Sequence, residues 1–267
     1  IGGTNARFAW QAGAGAPLQA QRIYPCAQYP SLRDAALQYL QDSGVPRPQL
    51  GCIGIANPVD GDAVRMTNHH WSFSINELQQ QLGLQRLLVI NDFKALALAL
   101  PSLPDAVLTR IGGGDPDPRG VKALIGPGTG LGVSGLVPYR IDGAAGWIAL
   151  DGEGGHTSAS AHTPREWQVV QALTARHGHC SFERIVCGPG LVGLYQLLCE
   201  FDGAKADAAL TAADIVQRAQ AGTEAHCVEA VQLFLAFLGT AAGNLALTLG
   251  ARGGVYLGGG ILPRLRE

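Results

Sequence analysis

Residues 87–100 read Leu-Leu-Val-Ile-Asn-Asp-Phe-Lys-Ala-Leu-Ala-Leu-Ala-Leu, and this stretch decides the fold class. The apolar run Leu87–Ile90 is typical of a short buried strand, and the following run from Phe93 to Leu100 is typical of a helix. Gly51–Ala56 has the pattern of a second buried strand. Strands that alternate with helices predict a largely parallel sheet with covered faces, and therefore an α/β fold.

Asn91 and Asp92 stand where the predicted strand Leu87–Ile90 ends. Ligands of α/β proteins bind at the carboxyl ends of the strands. A carboxylate at this place can accept the proton of an attacking hydroxyl group, with Asn91 orienting the molecule that carries it. Helix N-capping by Asp92 is the alternative interpretation, because aspartate is common at that position. The two roles are compatible.

The composition of the 267 residues excludes several classes of protein. A formal net charge of −2 provides no strong positive field for binding nucleic acid. The chain is 47% hydrophobic and 15% charged, which predicts a folded protein with a substantial core. Its six cysteines include no CxxC pair, so we expect reduced, mostly buried thiols and a reducing compartment.

Three glycine-rich turns lie at the ends of strand-like runs. Gly126-Pro-Gly-Thr-Gly-Leu-Gly132 lies between the predicted strands Val121–Ile125 and Val133–Val137, and it can aim backbone amides and the Thr129 hydroxyl at a phosphate. A tight β-turn without a ligand is the alternative. Gly2-Gly3-Thr4, which opens a predicted strand to Trp10, and Gly258-Gly-Gly260, after Val255–Leu257, are similar units. None is a Walker loop, because no Gly-Lys-Ser/Thr sequence follows.

Gly188-Pro-Gly-Leu-Val-Gly193 has the formal dinucleotide pattern GxGxxG. It follows a predicted strand, Arg184–Cys187, and it opens a predicted helix. A second strand that ends in an acidic residue is expected about twenty positions later, but that region holds Ala204–Ala213 and another capped helix, which disfavours a dehydrogenase. Close packing of the helix against the strand accounts for these glycines.

Gly152-Glu153-Gly-Gly-His156 places a carboxylate and an imidazole three residues apart on a glycine-rich backbone. Glu and neutral His together supply the donor and acceptor that neighbouring hydroxyl groups require. Glu183, just before the predicted strand Ile185–Cys187, is a candidate third member, with an exposed salt bridge as its alternative. His177-Gly-His-Cys180 raises the possibility of zinc, but this spacing matches no established ligand pattern.

Helix signals define the rest of the chain. Ser31 is a predicted N-cap, followed by an apolar face of Ala35, Leu37 and Leu40, and capping sequences begin at Thr163 and Thr211. The uncharged run Ala230–Ala251 is long enough for a membrane span, but Gln232 and Asn244 interrupt it, which favours a buried core helix. Pro101 to Pro104 predicts the boundary between two lobes.

Taken together, these segments closely resemble the bacterial glucokinase family of the hexokinase, actin and heat-shock-70 ATPase superfamily. The resemblance covers nearly the whole chain, and the CxCGxxGC zinc motif of the related repressor-type sugar kinases is absent, which indicates the metal-free branch. The segments that carry it are Gly2–Arg7, Met66–His69 with Trp71, Asn91–Phe93, Gly126–Gly132, Gly152–His156, Gly188–Val192 and Gly258–Ile261.

The resemblance implies a two-lobed actin-like ATPase fold (ribonuclease H-like) with a central cleft, its smaller lobe over residues 1–102 and its larger lobe over residues 103–267. It implies phosphorylation of glucose at its 6-hydroxyl by ATP with Mg²⁺, the first step of glycolysis, in a cytoplasmic protein, usually a homodimer, with no nucleic-acid or membrane partner. Asp92 matches the catalytic base. The sugar-binding positions are Asn68, Asn91, Asp92, Glu153, His156 and Glu183, and the nucleotide-binding positions are Gly2, Gly3, Thr4, Asn5, Gly126, Gly128, Thr129, Gly130, Gly258, Gly259 and Gly260.

Two departures from the family pattern matter. The family places an aspartate that helps to hold magnesium just before the position of Ile1, and a C-terminal stretch returns to its smaller lobe. We therefore expect the natural protein to continue beyond both ends of this sequence. Three alternatives stay open: another hexose such as mannose or fructose, a sugar sensor without phosphoryl transfer, and a dehydrogenase.

Overall fold

The computed structural model describes residues 1–66 and 69–265. The chain divides into two compact units, Ile1–Ala99 and Leu100–Glu267, which we call unit 1 and unit 2. Each unit contains a buried apolar cluster of its own. The boundary predicted from the prolines lies between residues 102 and 103.

The described residues of unit 1 form three two-stranded sheets and three α-helices. The order of its elements is β1 (Asn5–Trp10), β2 (Gln19–Pro25), α1 (Leu32–Ser43), β3 (Leu50–Ile55), β4 (Ala63–Arg65), β5 (Ser72–Ser74), α2 (Ile75–Leu82), β6 (Arg86–Asn91) and α3 (Asp92–Ala99). β3 and β6 are parallel, whereas β1–β2 and β4–β5 are antiparallel. The predicted strands at 51–56 and 87–90 and the predicted helix after them are confirmed, and β2 is a strand that the sequence did not predict.

The helix α1 begins as predicted, with the Ser31 hydroxyl accepting the amide of Asp34 at 3.2 Å. Its buried face was predicted wrongly in part. Ala35 is buried, but Leu37 and Leu40 are only half-buried, and Tyr39 takes the deeper position. The Tyr39 ring stacks on the Phe8 ring of β1 at 5.2 Å between centroids, a contact that depends on how helix and hairpin meet.

Unit 2 contains one four-stranded sheet in the order β10-β7-β8-β9, together with four helices. The strands are β7 (Lys122–Pro127), β8 (Leu131–Ile141), β9 (Ala144–Leu150) and β10 (Val255–Leu257), and the helices are α4 (Pro164–His177), α5 (Gly188–Phe201), α6 (Ala212–Gln220) and α7 (Ala225–Leu249). In this unit β7, β8 and β9 pair antiparallel and only β10 is parallel to β7. The largely parallel sheet predicted from residues 51–100 is found in unit 1 only as the β3–β6 pair, because the other two sheets of that unit are antiparallel. The connections after β7 and β8 are tight turns, which join antiparallel neighbours, and Asp142 and Gly143 both have positive φ.

The helix signals in unit 2 are confirmed at Thr163 and Thr211, each of which forms a complete capping box. The α7 helix is the one described helix long and apolar enough to cross a membrane. One of its faces is buried in the unit 2 core, where Phe234 and Phe237 are fully buried. This packing agrees with the core-helix interpretation.

The predicted strand Arg184–Cys187 is wrong. This segment consists of turns, in which the amides of Ile185 and Val186 both donate to the carbonyl of Phe182. Ile185 and Val186 are fully buried, as their apolar side chains suggest, but local turns satisfy the hydrogen bonds of their backbone amides. The dinucleotide interpretation of Gly188–Gly193 thereby loses the strand that it requires.

Candidate active site

Asn91 and Asp92 lie where β6 ends and α3 begins. Oδ1 of Asn91 accepts the amides of Phe93 at 2.9 Å and Lys94 at 3.1 Å, and Oδ1 of Asp92 accepts the amide of Phe93 at 2.9 Å. The N-capping considered for Asp92 is therefore performed by Asn91, because Asp92 is the first residue of α3 and accepts only the amide of its neighbour. Both side chains are partly exposed, so a ligand can reach the Asp92 carboxylate.

The Gly2–Asn5 turn lies at the same end of the β3–β6 pair. Ala56, which follows β3, donates its amide to the carbonyl of Ile1 at 3.0 Å, and the amide of Gly2 donates to the carbonyl of Asn5 at 3.1 Å. A Cβ atom at Gly2 would meet no heavy atom within 4 Å, so this glycine leaves open space beside the turn.

Close packing of α3 on β3 holds this end of unit 1 together. A Cβ atom at Gly54 would lie 3.2 Å from the Cβ of Ala95 and 3.6 Å from the Cα of Asp92. Ile55, the last residue of β3, is in register with Asn91. Unit 1 therefore brings the predicted nucleotide-binding residues Gly2–Asn5 and the predicted pair Asn91 and Asp92 to one edge.

The Gly126–Gly132 turn of unit 2 is the hairpin between β7 and β8. The amide of Gly128 donates to the carbonyl of Gly130 at 2.8 Å, and the carbonyl of Gly128 accepts the amide of Gly188, the first residue of α5, at 2.8 Å. The turn is therefore fixed both internally and against a helix. Thr129, at its tip, lines a cavity.

The third glycine segment runs directly against this hairpin. The amide of Gly258 donates to the carbonyl of Ile125 at 2.9 Å. Gly259 has a φ of +88°, and a Cβ atom there would lie 2.2 Å from the carbonyl oxygen of Pro127, so no other residue fits without displacing the backbone. Unit 2 therefore brings together two of the three predicted nucleotide-binding turns.

Glu153, His156 and Glu183 form one group in unit 2. Nε2 of His156 lies 3.8 Å from Oε2 of Glu153, and Nδ1 of His156 lies 3.6 Å from Oε1 of Glu183. Oε2 of Glu183 accepts the amide of Leu131 at 2.8 Å. The imidazole thus lies between two carboxylates, and each carboxylate can also accept a hydrogen bond from a hydroxyl group.

Two close backbone approaches set the position of Glu183. Its amide donates to the carbonyl of Gly155 at 2.9 Å, and a Cβ atom at Gly155 would lie 2.3 Å from the carbonyl oxygen of Leu131. A Cβ atom at Gly130 would lie 2.5 Å from Oε2 of Glu183. The carboxylate therefore packs against the glycine hairpin itself, which explains why both segments are rich in glycine.

The cavity beside this group has a volume of about 590 Å³. Thr129, His156 and Glu183 line one part of it. Sequence reasoning did not assign Ser181, Arg184 or Gln196 to a site, although they line the same cavity, and it considered His179 only as a metal ligand. These side chains meet because the chain turns after Ser181 and because α4 packs beside α5. In the sequence, only its position next to Glu183 indicated that Arg184 could belong to the site.

The remaining predicted positions need separate mention. Asn68 lies outside the described residues. Within residues 1–66 and 69–265, no group of three or more His, Cys, Asp or Glu side chains could hold a metal ion. His179 instead contacts Ser158, with 2.9 Å between Nε2 and the hydroxyl oxygen.

The α/β fold, together with a family match over the whole chain, identifies a sugar kinase. The protein-family model described as Glucokinase matches residues 1–267. The chain belongs to the glucokinase family, whose members phosphorylate glucose with ATP.

Curated relatives agree with this assignment. The chain is 53% identical over 265 residues to the glucokinase of Chromobacterium violaceum, covering 99% of this chain and 74% of that protein. It is 52% identical over 267 residues to the bifunctional protein glk of Burkholderia pseudomallei, covering all of this chain but only 41% of that longer protein.

Solved structures support the α/β kinase fold. A glucokinase from an Antarctic psychrotroph superimposes with a TM-score of 0.85 at 37% identity, covering all of this chain and 83% of the other. A ROK family glucokinase from Streptomyces griseus, solved with glucose and AMPPNP, has a TM-score of 0.63 at 18% identity, covering 100% and 85% of the two chains. At that identity the likeness concerns the fold alone.

Proposed function

We propose that this chain transfers the γ-phosphoryl group of ATP to the 6-hydroxyl of glucose and releases glucose 6-phosphate and ADP. The observation that carries this proposal is the 2.8 Å hydrogen bond from the Leu131 amide to Glu183. It joins the hairpin that would bind phosphates to a carboxylate that would bind sugar, within one unit.

The sugar ring is held, in this proposal, by hydroxyl contacts to Glu153, His156 and Glu183, together with Asn91 and Asn68. The carboxylates accept hydrogen bonds and the imidazole supplies a donor and an acceptor, so adjacent hydroxyl groups find complementary partners. Glu183 is the most firmly held of the three unit 2 side chains, because only 32% of it is exposed and the Leu131 amide fixes one oxygen.

Asp92 is the proposed general base. As the 6-hydroxyl oxygen forms its bond to the γ-phosphorus, the bond from that phosphorus to the leaving oxygen of ADP breaks and the hydroxyl proton passes to the Asp92 carboxylate. Phosphoryl transfer has a loose transition state, so positioning and charge stabilisation account for most of the acceleration. Proton removal by Asp92 contributes about 10² to 10⁴ in rate.

The nucleotide phosphates are proposed to contact the Gly2–Asn5 turn and the hairpin residues Gly126, Gly128, Thr129 and Gly130, with the adenosine near Gly258–Gly260. Mg²⁺ is proposed to arrive on ATP, where it neutralises phosphate charge. This mode needs few protein ligands, since protein-bound Mg²⁺ commonly keeps several waters and is held largely by the substrate phosphates.

The wider expectations remain proposals as well. We propose that the lobes over residues 1–102 and 103–267 form the actin-like architecture with its central cleft, in a cytoplasmic homodimer.

The test replaces Asp92 in the full-length protein. Asp92→Ala is expected to reduce kcat by about 10² to 10⁴ in an assay coupled to ADP release, while calorimetry still detects glucose binding. Asp60→Ala, which removes an exposed carboxylate from the same unit, is the matched control and should keep wild-type kcat. Near-normal turnover by Asp92→Ala would exclude Asp92 as the base.

The same assay identifies the sugar. Glucose should give a higher kcat/KM than mannose or fructose when each competes with the others. Glucose binding without ADP release would indicate a sensor, and nicotinamide binding without sugar-dependent ADP release would indicate a dehydrogenase.

A further inference from the structure

The strand β9 is the last strand of the unit 2 sheet on one side and has an open edge. In the part of the chain that the structure describes, β9 pairs with β8 alone, and no other backbone hydrogen bond involves residues 144–149. An open strand edge presents unpaired amides and carbonyls, to which another strand can bind.

The hairpin register shows which backbone groups of β9 face the open edge. The two-residue turn after Ile141 makes Ile141 and Ala144 a hydrogen-bonded pair, and bonded and non-bonded pairs alternate from there. Trp147 then belongs to a non-bonded pair, which agrees with its partner Pro138, a residue that has no amide to donate. The backbone groups that point away from β8 are therefore those of Ala145, Trp147 and Ala149.

This edge carries none of the features that keep edge strands apart. Natural edge strands commonly contain a lysine, a proline or a bulge. β9 reads Ala-Ala-Gly-Trp-Ile-Ala-Leu and pairs with β8 in an unbroken register. Ile148 and Leu150 are 52% and 37% exposed on one face of β9, and Tyr139 and Ile141 of β8 are exposed on the same face. An uncharged edge beside an apolar patch indicates a surface that a partner covers.

Trp147 is the middle residue of the seven in β9, which makes the open edge self-complementary. If Trp147 of a second copy lies opposite Trp147 in an antiparallel arrangement, Ala145 of each copy lies opposite Ala149 of the other. All the outward amides then donate to outward carbonyls, and no like charges meet along the pair. This symmetry is that of an isologous twofold dimer.

The side chains fit the same register. Ile148 lies opposite Gly146 of the second copy. Within each copy the Tyr139 ring covers Gly146, where a Cβ atom would be 2.5 Å from the Tyr139 hydroxyl oxygen. The exposed Ile148 side chain of one copy therefore packs beside the Tyr139 ring of the other, and both lose contact with water.

We propose that β9 is the interface of a twofold dimer, in which β9 of a second copy of this chain adds antiparallel to the open edge and joins the two four-stranded sheets. This inference rests on the homodimer of the proposed function and names its surface, and it does not depend on the phosphoryl transfer. A second copy is favoured over an unrelated strand because β9 itself supplies a complementary set of backbone groups and an uncharged edge.

Two substitutions in the full-length protein test this surface by different means. Ala145→Pro removes an amide that points to the open edge and leaves the hydrogen bonds to β8 in place. Ile148→Lys puts a charge into the apolar patch. Sedimentation equilibrium should show a dimer for the wild type and a dissociation constant raised by about tenfold or more for each variant.

Two controls match these changes, and circular dichroism checks the fold of every variant. Ala145→Ser keeps the amide, and Leu235→Lys places the same charge at a partly exposed apolar position of α7, so both should dimerise as the wild type does. A dimer that neither Ala145→Pro nor Ile148→Lys weakens, or one that Leu235→Lys dissociates equally, would overturn the inference. A monomeric wild type would overturn it too, and if that monomer releases ADP with glucose, the proposed phosphoryl transfer still stands.

Discussion

At the scale of single residues, Gly130 leaves no room for a side chain beside Glu183. The Gly130 backbone lies so close to Glu183 that a Cβ atom at Gly130 would be 2.5 Å from Oε2 of Glu183. An alanine at this position would therefore push the carboxylate away from the Leu131 amide. We expect Gly130→Ala to raise the KM for glucose by about tenfold, because a hydrogen bond to a charged group is lost.

Steady-state kinetics with varied glucose measures this effect. Gly239→Ala is the matched control, because a Cβ atom at Gly239 in α7 meets nothing within 4 Å. It should leave KM unchanged. A normal KM for Gly130→Ala would show that Glu183 does not bind the sugar.

Thiol reactivity is a second property of individual residues. Cys52 is exposed as a residue, although partial burial of its sulfur raises the pKa of its thiol, whereas the other five cysteines are buried and form no disulfide. Burial raises the pKa of the Cys180 thiol to about 11 and that of the Cys227 thiol to about 12, so the reactive thiolate is scarce in both.

We therefore expect an aromatic disulfide reagent at about pH 8 to label one cysteine of these six in the folded protein, namely Cys52, and all six after denaturation. Cys52→Ser should abolish the native-state labelling. Rapid labelling of a second site among them would show that the packing around the buried thiols opens readily.

At the scale of elements, one arginine joins three helices. Arg165, in the first turn of α4, bonds Asp202 at the end of α5 and Glu229 of α7, with distances of 3.0 Å and 2.8 Å. The Arg165 guanidinium, more than any other group, holds the pKa of the Asp202 carboxyl below its usual value, and His226 adds to this effect. Stability from this pairing is therefore present above the unfolded-state pKa and is lost as the pH falls through the folded-state pKa.

Urea unfolding of wild type and Arg165→Gln at two pH values tests this ion cluster. We expect Arg165→Gln to destabilise the protein modestly near neutral pH, since the ion pairs are partly exposed. The difference should narrow as the pH falls from the unfolded-state pKa of an aspartate, about 3.9, through the lower folded-state pKa of Asp202. A difference that stays constant with pH would show that Arg165 acts through packing on the Phe201 ring, which it contacts at 5.4 Å.

At the scale of the whole molecule, ligand binding and stability are linked. Glucose at about 100 times its Kd should stabilise the folded protein by about 2.7 kcal/mol, because it binds only the folded state. For a chain of this size that raises Tm by roughly 5–10 °C.

Differential scanning calorimetry measures this shift. Asp92→Asn should keep most of it, since the base contributes to turnover more than to binding, whereas Glu183→Gln should reduce it. An unchanged Tm at saturating glucose would contradict sugar binding by the assembled protein.

Features that depend on neighbours along the chain could be predicted from the residue types alone. The capping boxes at Thr163 and Thr211, the hairpin at Gly126–Gly132 and the strand before Asn91 all follow from interactions within a few residues, so their residue types were sufficient evidence. The combined motifs also identified the family, which the family match confirmed.

Only the tertiary structure decided the features that depend on distant partners. Ile185 and Val186 are residue types typical of a strand, but they form turns. Their amides donate to the carbonyl of Phe182, so these amides cannot pair with a neighbouring strand. Glu183 meets Leu131 across 52 positions of sequence, and no local pattern reports that contact. Periodicity encodes which side of an element faces the core, but the pairing of elements is set by the packing of the whole unit.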